Sequence, residues 1–122
     1  MKFEKCLDAF KQYVREEAQS LGCVTEKLET APVTKDAYNL VYDCEDPKVS
    51  IRLHVDPEKS ITLTYFERDE KGVLRPLCNI YCNKETNKKN SFKLQGGTFN
   101  QGELGKNLLV NSYGRILEIL KK

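Results

Sequence analysis

One imidazole, five thiols and several clustered carboxylates are the first groups in this 122-residue chain from which chemistry could be built. His54 lies between Leu53 and Val55 in an alternating stretch, where strand parity turns it outward beside Arg52. A general base needs a positioned partner and a pocket. The surrounding sequence supplies neither, so a solvated histidine on a sheet surface is the expectation. The cysteines, Cys6, Cys23, Cys44, Cys78 and Cys82, include no C-x-x-C pair and stand in different segments from His54. Zinc requires converging nitrogen and sulfur ligands, so neither a metal nor another cofactor is expected. Five is an odd number and the first residues, with acids throughout, do not read as a secretory signal, which points to reduced thiols. Two strand residues four apart are about 13 Å from each other, which rules out a bond between Cys78 and Cys82 within one strand. Those two, with Cys6 and Cys44, read as core residues, and Cys23, just past the first helix, reads as the exposed thiol. No catalytic residue is assigned.

The charges carry more information than the candidate catalysts. Residues 1–70 hold fifteen acids and ten bases, residues 71–122 three acids and ten bases, so a net charge of +2 conceals a dipolar molecule. Such asymmetry bears on partners rather than on fold. Asp43, Glu45, Asp46, Glu67, Asp69 and Glu70 fall in or beside two turns that a meander places at the same end of its sheet. They form a candidate docking patch for a basic protein surface, such as one that normally holds nucleic acid. The opposite pole is the 84–93 segment, in which Lys84, Lys88, Lys89 and Lys93 accompany Phe92. Lysines neutralise phosphates and aromatic rings stack on bases, so this loop is the candidate RNA or DNA contact. A third surface is the open sheet face, with Arg52, His54, Thr62, Thr64, Arg75, Asn79 and Tyr81. Tyrosine and arginine are favoured anchors at protein interfaces.

The elements that must position these groups can be read from periodicity. Phe3, Leu7, Phe10, Val14, Ala18 and Leu21 recur at intervals of three and four, predicting an amphipathic helix over 2–21 that ends at Gly22. From there the period drops to two. Strands are predicted over 24–31, 38–44, 49–55, 61–67, 73–82 and 91–95, separated by turn residues at about ten-residue spacing, as in an antiparallel meander. A helical period returns with Leu109, Tyr113, Ile116, Leu117 and Leu120, and Asn100 with Glu103 is a candidate capping box at its start. The fold class is therefore α+β, one domain over 1–122, with both helices on the apolar face of a five- to six-stranded sheet.

The helix–strands–helix order resembles the double-stranded-RNA-binding domain in topology. That family's lysine cluster opening the last helix has no counterpart here beyond Lys106, and no binding residue is carried over. Gly102-Glu103-Leu104-Gly105 matches the bare G-x-x-G of KH domains, but Glu103 would repel a phosphate. A P-loop is excluded because residue 100 is Asn and no Ser or Thr follows Lys106. The composition, 39% hydrophobic and 31% charged, with no apolar run of membrane length, is that of a folded cytoplasmic domain that needs no membrane. The sequence thus points to a non-catalytic protein-binding module, an inhibitor, adaptor or regulatory subunit, whose partner is another protein, a nucleic-acid-handling complex being one candidate, with a homodimer also expected. The alternative is a nucleic-acid-binding module using the 84–93 loop.

Overall fold

Helix α1 (Phe3–Ser20) forms where the apolar residues repeat at helical spacing, and it buries Cys6, Phe10, Tyr13 and Val14. It stops at Gly22, whose φ of 76° is left-handed, with the Cys23 N–H closing back onto the Ala18 carbonyl. The computed structural model describes residues 1–23, 26–30, 36–44, 48–97 and 102–122. Strands β1 (Glu26–Thr30), β2 (Tyr38–Cys44), β3 (Val49–Asp56), β4 (Ser60–Arg68), β5 (Leu74–Lys84) and β6 (Phe92–Gln95) follow. They pair in sequence order, every neighbour antiparallel. Helix α2 (Gly102–Leu120) closes the described chain.

The alternation read from the sequence decides which sheet face is dry. Leu40, Ile51, Leu53, Val55, Ile61, Leu63, Tyr65, Ile80 and Cys82 are buried in one cluster with α1 and with Ile116 and Leu120 of α2. Helix α1 packs over β3 and β4 and reaches β6, α2 packs over β5, and the helices touch each other, giving a two-layer α+β sandwich. Arg115 of α2 fastens the helix layer through a two-pronged contact with Glu16 of α1, at 2.9 and 3.1 Å. No described helix is long and apolar enough to cross a membrane.

Three features depart from expectation. The first is a register shift in β5. Tyr65 faces Cys78 and Phe66 faces Pro76, so Leu77 has no opposite number and is buried. An extra residue reverses the parity of everything before it. Leu74 is exposed, and Arg75 stands opposite Glu67 instead of sharing the face of Arg52. The second is the rotation of α2. Ile116 and Leu120 are buried as expected, but the buried positions also include Gly105 and Ser112, small residues that bring the helix close to the sheet. The Ser112 hydroxyl spends its donor on the Leu108 carbonyl, so it is buried without being orphaned. Asn100, one half of the expected capping box, lies outside the described residues.

The third departure concerns the thiols. Cys6 on α1 is bonded to Cys82 on β5, and Cys23 to Cys44 at the end of β2, with Cα separations of 7.1 and 4.6 Å. The expected set of reduced thiols is corrected to two disulfides, both joining the helix layer to the sheet. Cys23 is also only 8% exposed, against the expected free surface thiol. The strand geometry that separates Cys78 from Cys82 is intact; the bond runs between layers, where no sequence spacing reports it. Cys78 is left free and buried, and burial pushes its thiol up to about 11, which holds it protonated and unreactive.

Candidate functional site

The sheet surface opposite the helices is built from the second residue of each alternating pair. Across β2, β3, β4 and β5 the register sets Asn39, His54, Thr62 and Tyr81 in one row, and Val41, Arg52, Thr64 and Asn79 in the next. Six of the seven predicted open-face residues therefore share this surface, and Arg75 is the exception. The sequence reading missed Phe66 and Asn39, which the same alternation could have found.

Within this surface, the His54 ring Nδ1 lies 2.8 Å from Asn39 Oδ1. The neutral amide fixes the orientation of the ring and places no charge beside it. Arg52 lies over the Phe66 ring, 5.3 Å from its centroid, a cation–π contact. Of the five arginines, Arg15, Arg68, Arg75 and Arg115 each meet a carboxylate, whereas Arg52 meets none among the described residues. Its Nε is buried without a hydrogen-bond acceptor, as is the hydroxyl of Ser50 two residues earlier. Val41 and Ser50 are 5% and 1% exposed on a face that no described helix covers; their cross-strand partners are Arg52 and Phe66 respectively. The centre of the face is thus partly desolvated around a cation that meets no counter-charge among the described residues.

Of the six carboxylates of the expected acidic pole, Asp43, Glu67, Asp69 and Glu70 are described, and the first three are engaged. The two turns do meet at one sheet end, where the Arg68 N–H donates to the Lys48 carbonyl. Arg68 then reaches Asp43 at 3.3 Å, and Arg75 reaches Glu67 at 3.5 Å. Asp69 turns its carboxylate inward to accept from the N–H groups of Lys71 and Val73, both at 2.9 Å, so it shapes its own turn. Glu70 is exposed, and Glu45 and Asp46 lie outside the described residues.

At the basic pole Lys84, Lys88, Lys89 and Lys93 are exposed. Phe92 is not available to stack on a base: it is 3% exposed, packed 5.4 Å from the Phe3 ring, and its N–H donates to the Met1 carbonyl. Glu85 accepts from Ser91 across the loop, and the neighbouring lysines help hold its carboxyl below the ordinary range. The loop keeps its cations and loses its aromatic platform. Among the described residues, no group of three or more His, Cys, Asp or Glu side chains is placed to hold a metal.

Under the helices runs a separate polar chain. The Tyr13 and Tyr65 hydroxyls meet at 2.6 Å in the core. Burial pushes Tyr13 up to about 12 and Tyr65 further. Glu17, which Tyr65 also contacts, is raised by partial burial. These groups are spent on joining α1 to β4. At the margin of α1, Glu26 accepts from Tyr42 and lies 3.5 Å from Arg15, which together hold its carboxyl below the usual range. No protein-family model, curated protein or solved structure matches the chain.

Proposed function

We infer that the protein is a non-catalytic binding module that engages a protein partner through the open sheet face. The observation that carries this reading is Arg52: a half-buried side chain over the Phe66 ring, its Nε buried without an acceptor, with no carboxylate partner among the described residues. Completing such a cation with an acceptor from outside is worth far more than pairing one that is already satisfied, because the desolvation cost has largely been met. His54, Thr62, Thr64 and Tyr81 supply the polar and aromatic surroundings usual at protein contacts. The partner would therefore present a carboxylate or a row of backbone carbonyls to a flat surface. Inhibitor, adaptor and regulatory subunit all remain compatible with that chemistry.

The test is affinity capture from nuclease-treated lysate of the source cells with three baits: wild type, R52E, and K106E on α2 as a control on the other layer. Protein retained by wild type and K106E but lost with R52E supports the reading. Identical capture by all three baits, or none by any, overturns it. The nucleic-acid alternative rests on the exposed lysines of the 84–93 loop alone, and predicts binding that falls steeply as salt rises and is indifferent to R52E. The expected cytoplasmic setting has to accommodate two cross-links that a reducing compartment would open; thiol counting on protein taken directly from its cells measures this.

A further inference from the structure

Strand β1 is paired on one side only, and all five of its residues are exposed. The other edge of the sheet is capped at the first residue of β6: the Met1 nitrogen donates to the Phe92 carbonyl at 3.0 Å, and the Phe92 N–H returns a bond to the Met1 carbonyl at 2.7 Å. Nothing comparable guards β1 among the described residues. It contains no proline, and its register with β2 runs unbroken from Glu26 opposite Tyr42 to Thr30 opposite Tyr38. An open edge strand is a template for another strand unless its sequence forbids it. At the middle of this edge sits Leu28, 67% exposed, the most exposed large apolar side chain described.

We propose that β1 pairs antiparallel with β1 of a second copy of this chain, about a two-fold axis at Leu28, joining two six-stranded sheets into one. The order Glu26, Lys27, Leu28, Glu29, Thr30 is complementary to itself in that arrangement. Lys27 meets Glu29 of the second copy, Glu29 meets its Lys27, Leu28 meets Leu28, and Glu26 meets Thr30. Opposite residues in an antiparallel ladder share a face. Both ion pairs then fall on the open side with Val41 and Asn39, and the leucines fall on the helix side with Leu40. The sequence also resists slippage: a shift by two residues sets Lys27 against Lys27 or Glu29 against Glu29, and a shift by one turns the apolar face outward.

The helices leave room. Helix α1 packs over β3 and β4, and in the joined sheet the two copies of β3 are five strand spacings, about 24 Å, apart, whereas packed helices approach within about 10 Å. Between them, the groove of about 610 Å³ in each copy, whose lining includes Leu28, Ala37, Tyr38 and Leu40 together with Lys11 and Arg15 of α1, becomes continuous across the axis. Self-association through a five-residue edge is narrow, so the dimer is one of modest affinity, reversible in the micromolar range.

Sedimentation velocity on the full chain across the micromolar range tests this with three variants. K27E and E29K should each weaken dimerisation by about tenfold, because each turns both symmetric ion pairs into like-charge contacts. Mixing K27E with E29K in equal amounts should restore association as a heterodimer, and the K27E/E29K double variant should dimerise with itself, which a folding defect could not produce. A wild-type chain that stays monomeric at every concentration overturns the proposal and leaves the edge to a foreign strand. So does a dimer that neither single variant weakens, or a mixture that shows no recovery. Arg52 is two strands from this edge, so failure of this dimer and failure of the open-face reading are separate results.

Discussion

Replacing Cys23 and Cys44 together by alanine should lower stability by about 3 kcal/mol, the contribution expected in the chain-entropy description for a cross-link closing a loop of this size, with a sequence separation of 21. The Cα separation of 4.6 Å lies within the span a disulfide requires, so backbone distortion should not offset the gain. For a domain of this length, about 1 kcal/mol corresponds to roughly 4 °C in Tm, and the expected drop is therefore about 12 °C. The assay is thermal and urea unfolding of wild type and C23A/C44A, each with and without reductant. Without reductant the variant should melt well below wild type. Reductant should then lower the variant only by what the Cys6–Cys82 bond contributes. Thiol titration of denatured, unreduced wild type should find a single free thiol, Cys78. Five titratable thiols, together with wild-type melts indifferent to reductant, would refute the reasoning and return the chain to the reduced state its cysteine count suggested.

Other perturbations address different parts of the molecule. Tyr65→Phe should cost about 1–2 kcal/mol in urea unfolding, since it removes the buried partner of the Tyr13 hydroxyl. Wild-type stability should fall as pH rises from about 10: the unfolded tyrosines ionise there, while Tyr13 and Tyr42 in the folded protein hold their protons to about 12. A spectrophotometric tyrosine titration completed near pH 10 without unfolding would contradict this. Glu17, raised by burial, weakens the folded state once its carboxyl ionises. Glu17→Gln should thus raise Tm near neutral pH and have no such effect below the carboxylate range, and an equal gain at both pH values would remove the electrostatic explanation. Gly97→Ala should cost about 1–3 kcal/mol, because a Cβ there would overlap the Asn79 carbonyl, while Gly96→Ala, with open space around it, should change little; matched chemical melts of the two compare them directly.

Much of the architecture was legible because local period and local turn chemistry agree along this chain. Alternation places Ile51, Leu53 and Val55 on one side and Arg52 and His54 on the other, whatever the remaining strands do. Gly22 ends the first helix through its own backbone freedom. The same reasoning put six open-face residues on one surface. It failed at Arg75, because a single unpaired residue, Leu77, reverses the parity of the strand before it, and nothing in a linear pattern announces a bulge. It failed at Phe92, which reads as part of a polar loop until Phe3 and Met1 are seen to cover it.

What composition and periodicity settle here is therefore the order of elements, the apolar face and the charge asymmetry, all consequences of the 3.6- and two-residue repeats and of turn residues acting within a few positions. Pairings between distant segments were decided in three dimensions. Cys6 meets Cys82 across 76 residues, Tyr13 meets Tyr65 across 52, and Arg52 finds an aromatic ring instead of a carboxylate. Those outcomes depend on how far each helix is rotated and where it lies on the sheet, which is set by the packing of many side chains at once and is encoded in no single spacing.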